Sequence, residues 1–162
     1  IAEALAMHAS IAGERLRSEG MVASALSCWA ETSRRMKGAY HSIGAHVRFP
    51  MPTDVTFDII HAAHRALDKC YQPGHDFMKC GIMLSELAQT DRHQGTLMEV
   101  VEDEEMRRHR ELMAVMDKVN EKYGRANVHT AAQGNPRVFW RMRRERMSPH
   151  YTNRWGDIPW IK

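Results

Sequence analysis

The 162-residue chain combines 43% hydrophobic with 27% charged residues, the balance of a globular protein and not of a disordered tail. It holds no run of about 18 apolar residues, which excludes a membrane-spanning helix. Its three cysteines, Cys28, Cys70 and Cys80, are widely spaced and odd in number, so they suggest a reducing, cytoplasmic setting and not a disulfide framework.

The chain begins at Ile1, without a methionine and already in helical pattern, and so reads as a piece of a longer polypeptide. Ile1, Leu5, Ala9, Ala12 and Leu16 recur with a 3.6-residue period, which predicts an amphipathic helix to about Glu19, stopped by Gly20. Met21 to Thr32 lacks Gly and Pro and alternates loosely, as a strand would. From His41 to Phe49 the alternation is cleaner: Ile43, Ala45, Val47 and Phe49 share one face, and Ser42, Gly44, His46 and Arg48 the other. The basic stretch "SRRMKGA" suits the turn of a hairpin between them. Pro50 and Pro52 are expected to end the second strand, with Thr53 or Asp54 capping a helix that carries Phe57, Ile60, Ala63, Leu67 and Cys70 on one stripe. Another strand is predicted over Phe77–Leu87, with Lys79, Gly81, Met83 and Ser85 alternating against Cys80, Ile82 and Leu84.

The order α-β-β-α-β predicts an α+β fold over residues 1–89. It is a split βαβ sheet whose first strand lies upstream, with two helices that can cover one face only. Residues 90–103 form a patternless linker. Its "QGTLM" offers Gln94, Leu97 and Met98 either as a docking peptide or as a hydrophobic staple for the next helix. Glu104–Tyr123 is predicted as a helix with His109, Leu112, Met116, Val119 and Tyr123 aligned, terminated by Gly124. Over 104–162 the region is mainly helical and ends in a basic tail.

Charge is unevenly spread along these parts. Lys/Arg and Asp/Glu balance at nine each over residues 1–89, stand at six against nine over 90–124, and at eight against two over 125–162. Anionic partners are therefore expected at the tail. There, Arg137, Arg141 and Arg144 would share one helix face. No metal site is expected. His61 and His64 lack a third ligand at the right spacing, and no phosphate loop, nucleophile elbow or triad pattern occurs.

Several segments, "FPMPTD", "LDKCYQPGHDFMKCGIMLSEL", "LMAVMDKVNEKYGRANV", "AAQG" and above all "MSPHYTNRWGDIP", resemble the C-terminal half of the UmuC family. These are the catalytic subunits of bacterial DNA polymerase V, Y-family translesion polymerases of the SOS response. The resemblance implies that residues 1–89 are most of a little-finger domain. On its open sheet face Arg48 and Lys79, with His46, Gly81, Ser42 and Ser85, would meet the backbone of primer-template DNA. Glu31 departs from an arginine common in the family, and Met83 from a basic residue in some relatives. The resemblance further implies that Gln94, Leu97 and Met98 bind the β sliding clamp. The tail, with Arg137, Arg141, Arg144, Tyr151 and Trp155, would meet a UmuD′ dimer, a RecA filament, DNA or the chain's own acidic run at 102–105. The family's two Mg2+ ions are held by palm carboxylates upstream, so this chain carries no cofactor and is not expected to polymerise by itself. A stand-alone, truncated paralogue that competes for clamp or UmuD′ is the alternative. The resemblance also implies that the missing first strand is central in the sheet, which would leave residues 1–89 alone poorly folded or dimeric.

Overall fold

A computed structural model of the chain describes residues 1–34, 40–90, 104–124 and 126–134, with 148, 149, 156 and 158. Helix α1 spans Ala2–Ser18, strands β1 and β2 span Met21–Thr32 and Ser42–Thr53, and helix α2 spans Thr56–Cys70. Strand β3, Phe77–Gln89, and helix α3, Glu104–Tyr123, follow, then a 3-10 turn at Ala131–Gln133. The fold is α+β, in the predicted order.

Both pairings in the sheet are antiparallel, in the order β2-β1-β3. Strands β2 and β3 therefore run parallel with β1 inserted between them, which makes β2–α2–β3 a split βαβ unit. This corrects one expectation. Strand β1 is hydrogen-bonded along both sides, so no central place is left for an upstream strand; among the described strands only the outer edges of β2 and β3 are unpaired.

A second correction concerns the prolines. Strand β2 does not stop at Phe49 but continues through Pro50 and Pro52 to Thr53. Proline cannot donate to a ladder, yet β2 is an edge strand and its register with β1 breaks between Ala23 and Ala25, opposite these residues. Thr53 then shapes the entry to α2, its hydroxyl accepting from the Val55 N–H at 3.1 Å and donating to Asp58 Oδ2 at 2.8 Å.

Alternation decides which face is covered. Leu26 and Cys28 of β1 and Val47 and Phe49 of β2 bury against Leu5, Ala9 and Leu16 of α1 and Ile59, Ala63 and Leu67 of α2, with Ile82 and Leu84 of β3 packed alongside. Small residues let the two helices approach closely. At Gly13 an added Cβ would lie 3.0 Å from Thr56 Oγ1 and 3.2 Å from Ile59 Cδ1. Both helices lie on this one side, as predicted.

Helix α3 matches its predicted bounds and part of its predicted stripe, since His109, Met116 and Val119 are half-buried. Met113 is its fully buried residue, while Leu112 and Tyr123 are exposed. The face turned inward is selected by a polar clasp as well as by apolar content. Arg17 of α1 donates to both carboxylate oxygens of Asp117, at 2.7 and 2.9 Å, and also to the Asp54 carbonyl at 2.6 Å and Thr56 Oγ1 at 3.0 Å. His109, on the same helix, meets the Phe57 ring edge-on. Beyond Gly124, Asn120 bonds both the N–H and the carbonyl of Val128, folding the chain back so that Gln133 is buried and Ala132 packs on the core.

The Arg17 side chain is only 13% exposed, so its bonds lie largely out of water. Asp117→Ala should cost roughly 1–3 kcal/mol in urea denaturation, and Arg17→Ala more. The double variant should cost less than the sum of the two, as coupled partners do.

Candidate nucleic-acid interface

Strand alternation places the outward residues in four rows across the sheet. In the order β2–β1–β3 these are Ser42–Glu31–Lys79, Gly44–Trp29–Gly81, His46–Ser27–Met83 and Arg48–Ala25–Ser85. No described helix lies over them. Arg48 and Lys79 share this face, and their side chains are 68% and 73% exposed. They stand at opposite ends, six residues apart in the β1 register, or about 20 Å at strand rise.

Neither cation is alone. Arg48 pairs with Glu86 of β3, and Lys79 Nζ lies 3.4 Å from Glu31 Oε1. Glu31 also accepts a 2.7 Å hydrogen bond from the Tyr40 hydroxyl, whose ring carries the Arg34 guanidinium 4.7 Å from its centroid. The Tyr40 hydroxyl, followed by Lys79 and Arg34, holds the Glu31 carboxyl below its ordinary range. His46 Nδ1 and Ser27 Oγ are hydrogen-bonded at 3.0 Å.

Of the six residues expected on this face, Ser42, His46, Arg48 and Lys79 are exposed and Ser85 is half-buried. Gly81 departs from the expectation of an open backbone, because it is buried under the indole of its cross-strand neighbour Trp29. A Cβ at Gly81 would stand 2.8 Å from Trp29 Cζ2, so glycine is what lets the ring lie there. Trp29 itself, Tyr40 and Glu86 were missed by sequence reasoning. Trp29 could have been found: it shares the outward phase of Ser27 and Glu31, an apolar ring in a polar set. The expected clamp peptide (Gln94, Leu97, Met98) and tail residues (Arg137, Arg141, Arg144, Tyr151, Trp155) lie outside the described residues.

The far side of the sheet offers no comparable chemistry. Cys28 and Cys80 face inward from β1 and β3, and Cys70 closes α2 above them, so three residues remote in sequence share one apolar site. Burial first, then the neighbouring Cys28, pushes the Cys70 thiol up to about 11, and burial raises Cys80. Protonated thiols are poor nucleophiles, so these act as core residues. Among the described residues, no group of three His, Cys, Asp or Glu is placed to hold a metal ion, and no helix is long and apolar enough to cross a membrane.

Residues 1–97 match the impB/mucB/samB family C-terminal domain, which is more than half of the chain. The chain belongs to that family. Residues 110–161 match a domain of unknown function, DUF4113. The protein SamB of Salmonella typhimurium is 36% identical over 161 residues, covering 99% of this chain and 37% of SamB. UmuC of Salmonella typhimurium is 33% identical over 163 residues, with the same coverage of each chain, and MucB of Escherichia coli is 28% identical over 162 residues. The resemblance to UmuC is thereby borne out. The chain spans a little over a third of the length of these relatives, matching 37% of SamB and of UmuC.

Tyr40→Phe removes the first donor to Glu31, so the Glu31 pKa should rise toward the ordinary carboxylate value. Carboxyl-detected NMR titration reads this directly; an unmoved Glu31 would assign its low value to Lys79 instead.

Proposed function

We propose that the chain is the DNA-holding and partner-docking part of an error-prone translesion DNA polymerase of the UmuC type, acting in damage tolerance. Membership of the impB/mucB/samB family supports the polymerase assignment. The observation that carries the DNA role is the uncovered sheet face, with Arg48 and Lys79 about 20 Å apart on it. Phosphates of a duplex are contacts of this kind: sequence-blind, charge-based and released by salt.

The carboxylates of Glu31 and Glu86 tune that grip and do not abolish it. An exposed ion pair is worth about 0–1 kcal/mol, so a phosphate displaces the carboxylate at small cost. Two cations that must first leave their partners hold DNA weakly, which suits a polymerase that synthesises a short patch and departs. In this reading Gln94, Leu97 and Met98 tether the module to a sliding clamp, two adjacent apolar side chains entering a pocket while the amide anchors the other end. Methionine in the terminal place keeps a deformable apolar contact without a ring. The arginine-bearing tail then serves the polymerase's protein partners, a UmuD′ dimer or a RecA filament.

Fluorescence anisotropy of the 162-residue chain with a primer-template duplex, run as a salt series, tests the DNA role. Arg48→Ala and Lys79→Ala should each weaken binding and lower the salt slope by about one. Glu31→Gln with Glu86→Gln should tighten it, by up to roughly fivefold. Unchanged affinity in both pairs would overturn the role assigned to this face. Separately, Gln94→Ala, Leu97→Ala and Met98→Ala together should remove clamp binding and leave DNA affinity intact.

A further inference from the structure

The two cations at the ends of the open face leave its middle unexplained. There the rows are Gly44–Trp29–Gly81 and His46–Ser27–Met83, and the large exposed apolar groups are Trp29 and Met83, at 41% and 59% exposure. A tryptophan at the centre of a sheet face normally meets side chains on both flanking strands. Here both cross-strand neighbours are glycine. Gly81 is covered by the indole, and a Cβ there would be 2.8–3.0 Å from Cζ2, Cε2 and Nε1. At Gly44, on the other flank, an added Cβ would lie 3.1 Å from the Cys28 carbonyl oxygen and 3.8 Å from Trp29 Cβ, and glycine leaves no side chain there against the indole. The indole is thus seated low on one side, open on the other, and reachable from above.

We propose that Trp29 is the nucleoside-contacting residue of this face, its indole taking the flat side of one deoxyribose or base of a strand whose phosphates meet Arg48 and Lys79. The inference rests on the DNA-holding function proposed above. Spacing agrees with it. Trp29 lies two residues from the Lys79 row and four from the Arg48 row, or about 7 and 14 Å along the strand. Phosphates repeat every 3.4 Å or so of helix axis along one strand, so nucleoside units fall between the two cations, above Trp29. Aromatic rings contribute sequence-tolerant contacts of this kind because every nucleotide offers a flat apolar surface. The contact adds affinity without adding charge, which suits a face whose cations are already matched by Glu31 and Glu86.

That difference in chemistry gives the test. Anisotropy is measured on the 162-residue chain with a labelled duplex and with a single strand of the same length, over a series of salt concentrations. Trp29→Ala should weaken binding about tenfold with an unchanged salt slope, whereas Arg48→Ala weakens binding and makes the slope shallower by about one. Trp29→Phe should retain most of the affinity. A loss confined to the single strand assigns the contact to a base, and a loss on both probes assigns it to the sugar. Trp29→Ala binding as the wild type does, while Arg48→Ala is impaired, overturns this inference and spares the DNA-holding function. No binding by the wild-type chain at low salt removes both. Should Trp29→Ala fail to fold by circular dichroism, Trp29→Phe against Trp29→Leu decides: Leu must bind more weakly than Phe, and equal affinity overturns the proposal.

Discussion

Because α1 and α2 pack side by side against the Leu26, Cys28 and Val47 side of the sheet, the outward side chains of three strands share a single face that no described helix covers. That one-sided packing is what the functional reading depends on. It follows from alternation: a one-residue slip of β1 would exchange Leu26 and Cys28 for Ser27 and Trp29 and dissolve the core. Strand β1, bonded along both edges, holds the register for the whole sheet and so fixes where Arg48, Trp29 and Lys79 stand relative to one another.

The C-terminal helix is attached to the other side of this arrangement. Arg17 reaches from α1 to Asp117 of α3 while also holding the β2–α2 connection through the Asp54 carbonyl and Thr56. The clasp therefore ties the region matching the family's C-terminal domain to the region matching DUF4113, and it does so away from the open face. Surface charge is also balanced locally, since Arg48 and Lys79 each have a carboxylate beside them. An anion meeting such a surface would have to displace a carboxylate, an exchange that exposed ion pairs allow at small cost.

Periodicity made most of the fold legible. The order of elements, the α1 and β1 segments, the bounds of α3 and the inward or outward sense of β2 and β3 all follow from repeats of 3.6 or 2. Prolines misled the reading of β2, because proline ends a central strand but is tolerated at an edge, and position in the sheet is a tertiary fact. The buried stripe of α3 was placed only in part, for a related reason. Leu112 and Tyr123 are apolar, yet a charged pair, Arg17–Asp117, one hundred residues apart, helps choose the inward face. Alternation put Arg48 and Lys79 on the uncovered face, and the family resemblance singled them out there. Their carboxylate partners and the position of Trp29 over Gly81 depend on cross-strand register, which no single strand's pattern contains.

Amide chemical-shift mapping of the 162-residue chain titrated with a primer-template duplex tests the uncovered face most directly. The predicted result is a set of perturbed signals on the outward rows, at Ser27, Trp29, Glu31, His46, Arg48, Lys79 and Met83, with α1 and α2 unmoved. Perturbations centred on the helices, with those strand positions silent, would contradict the account.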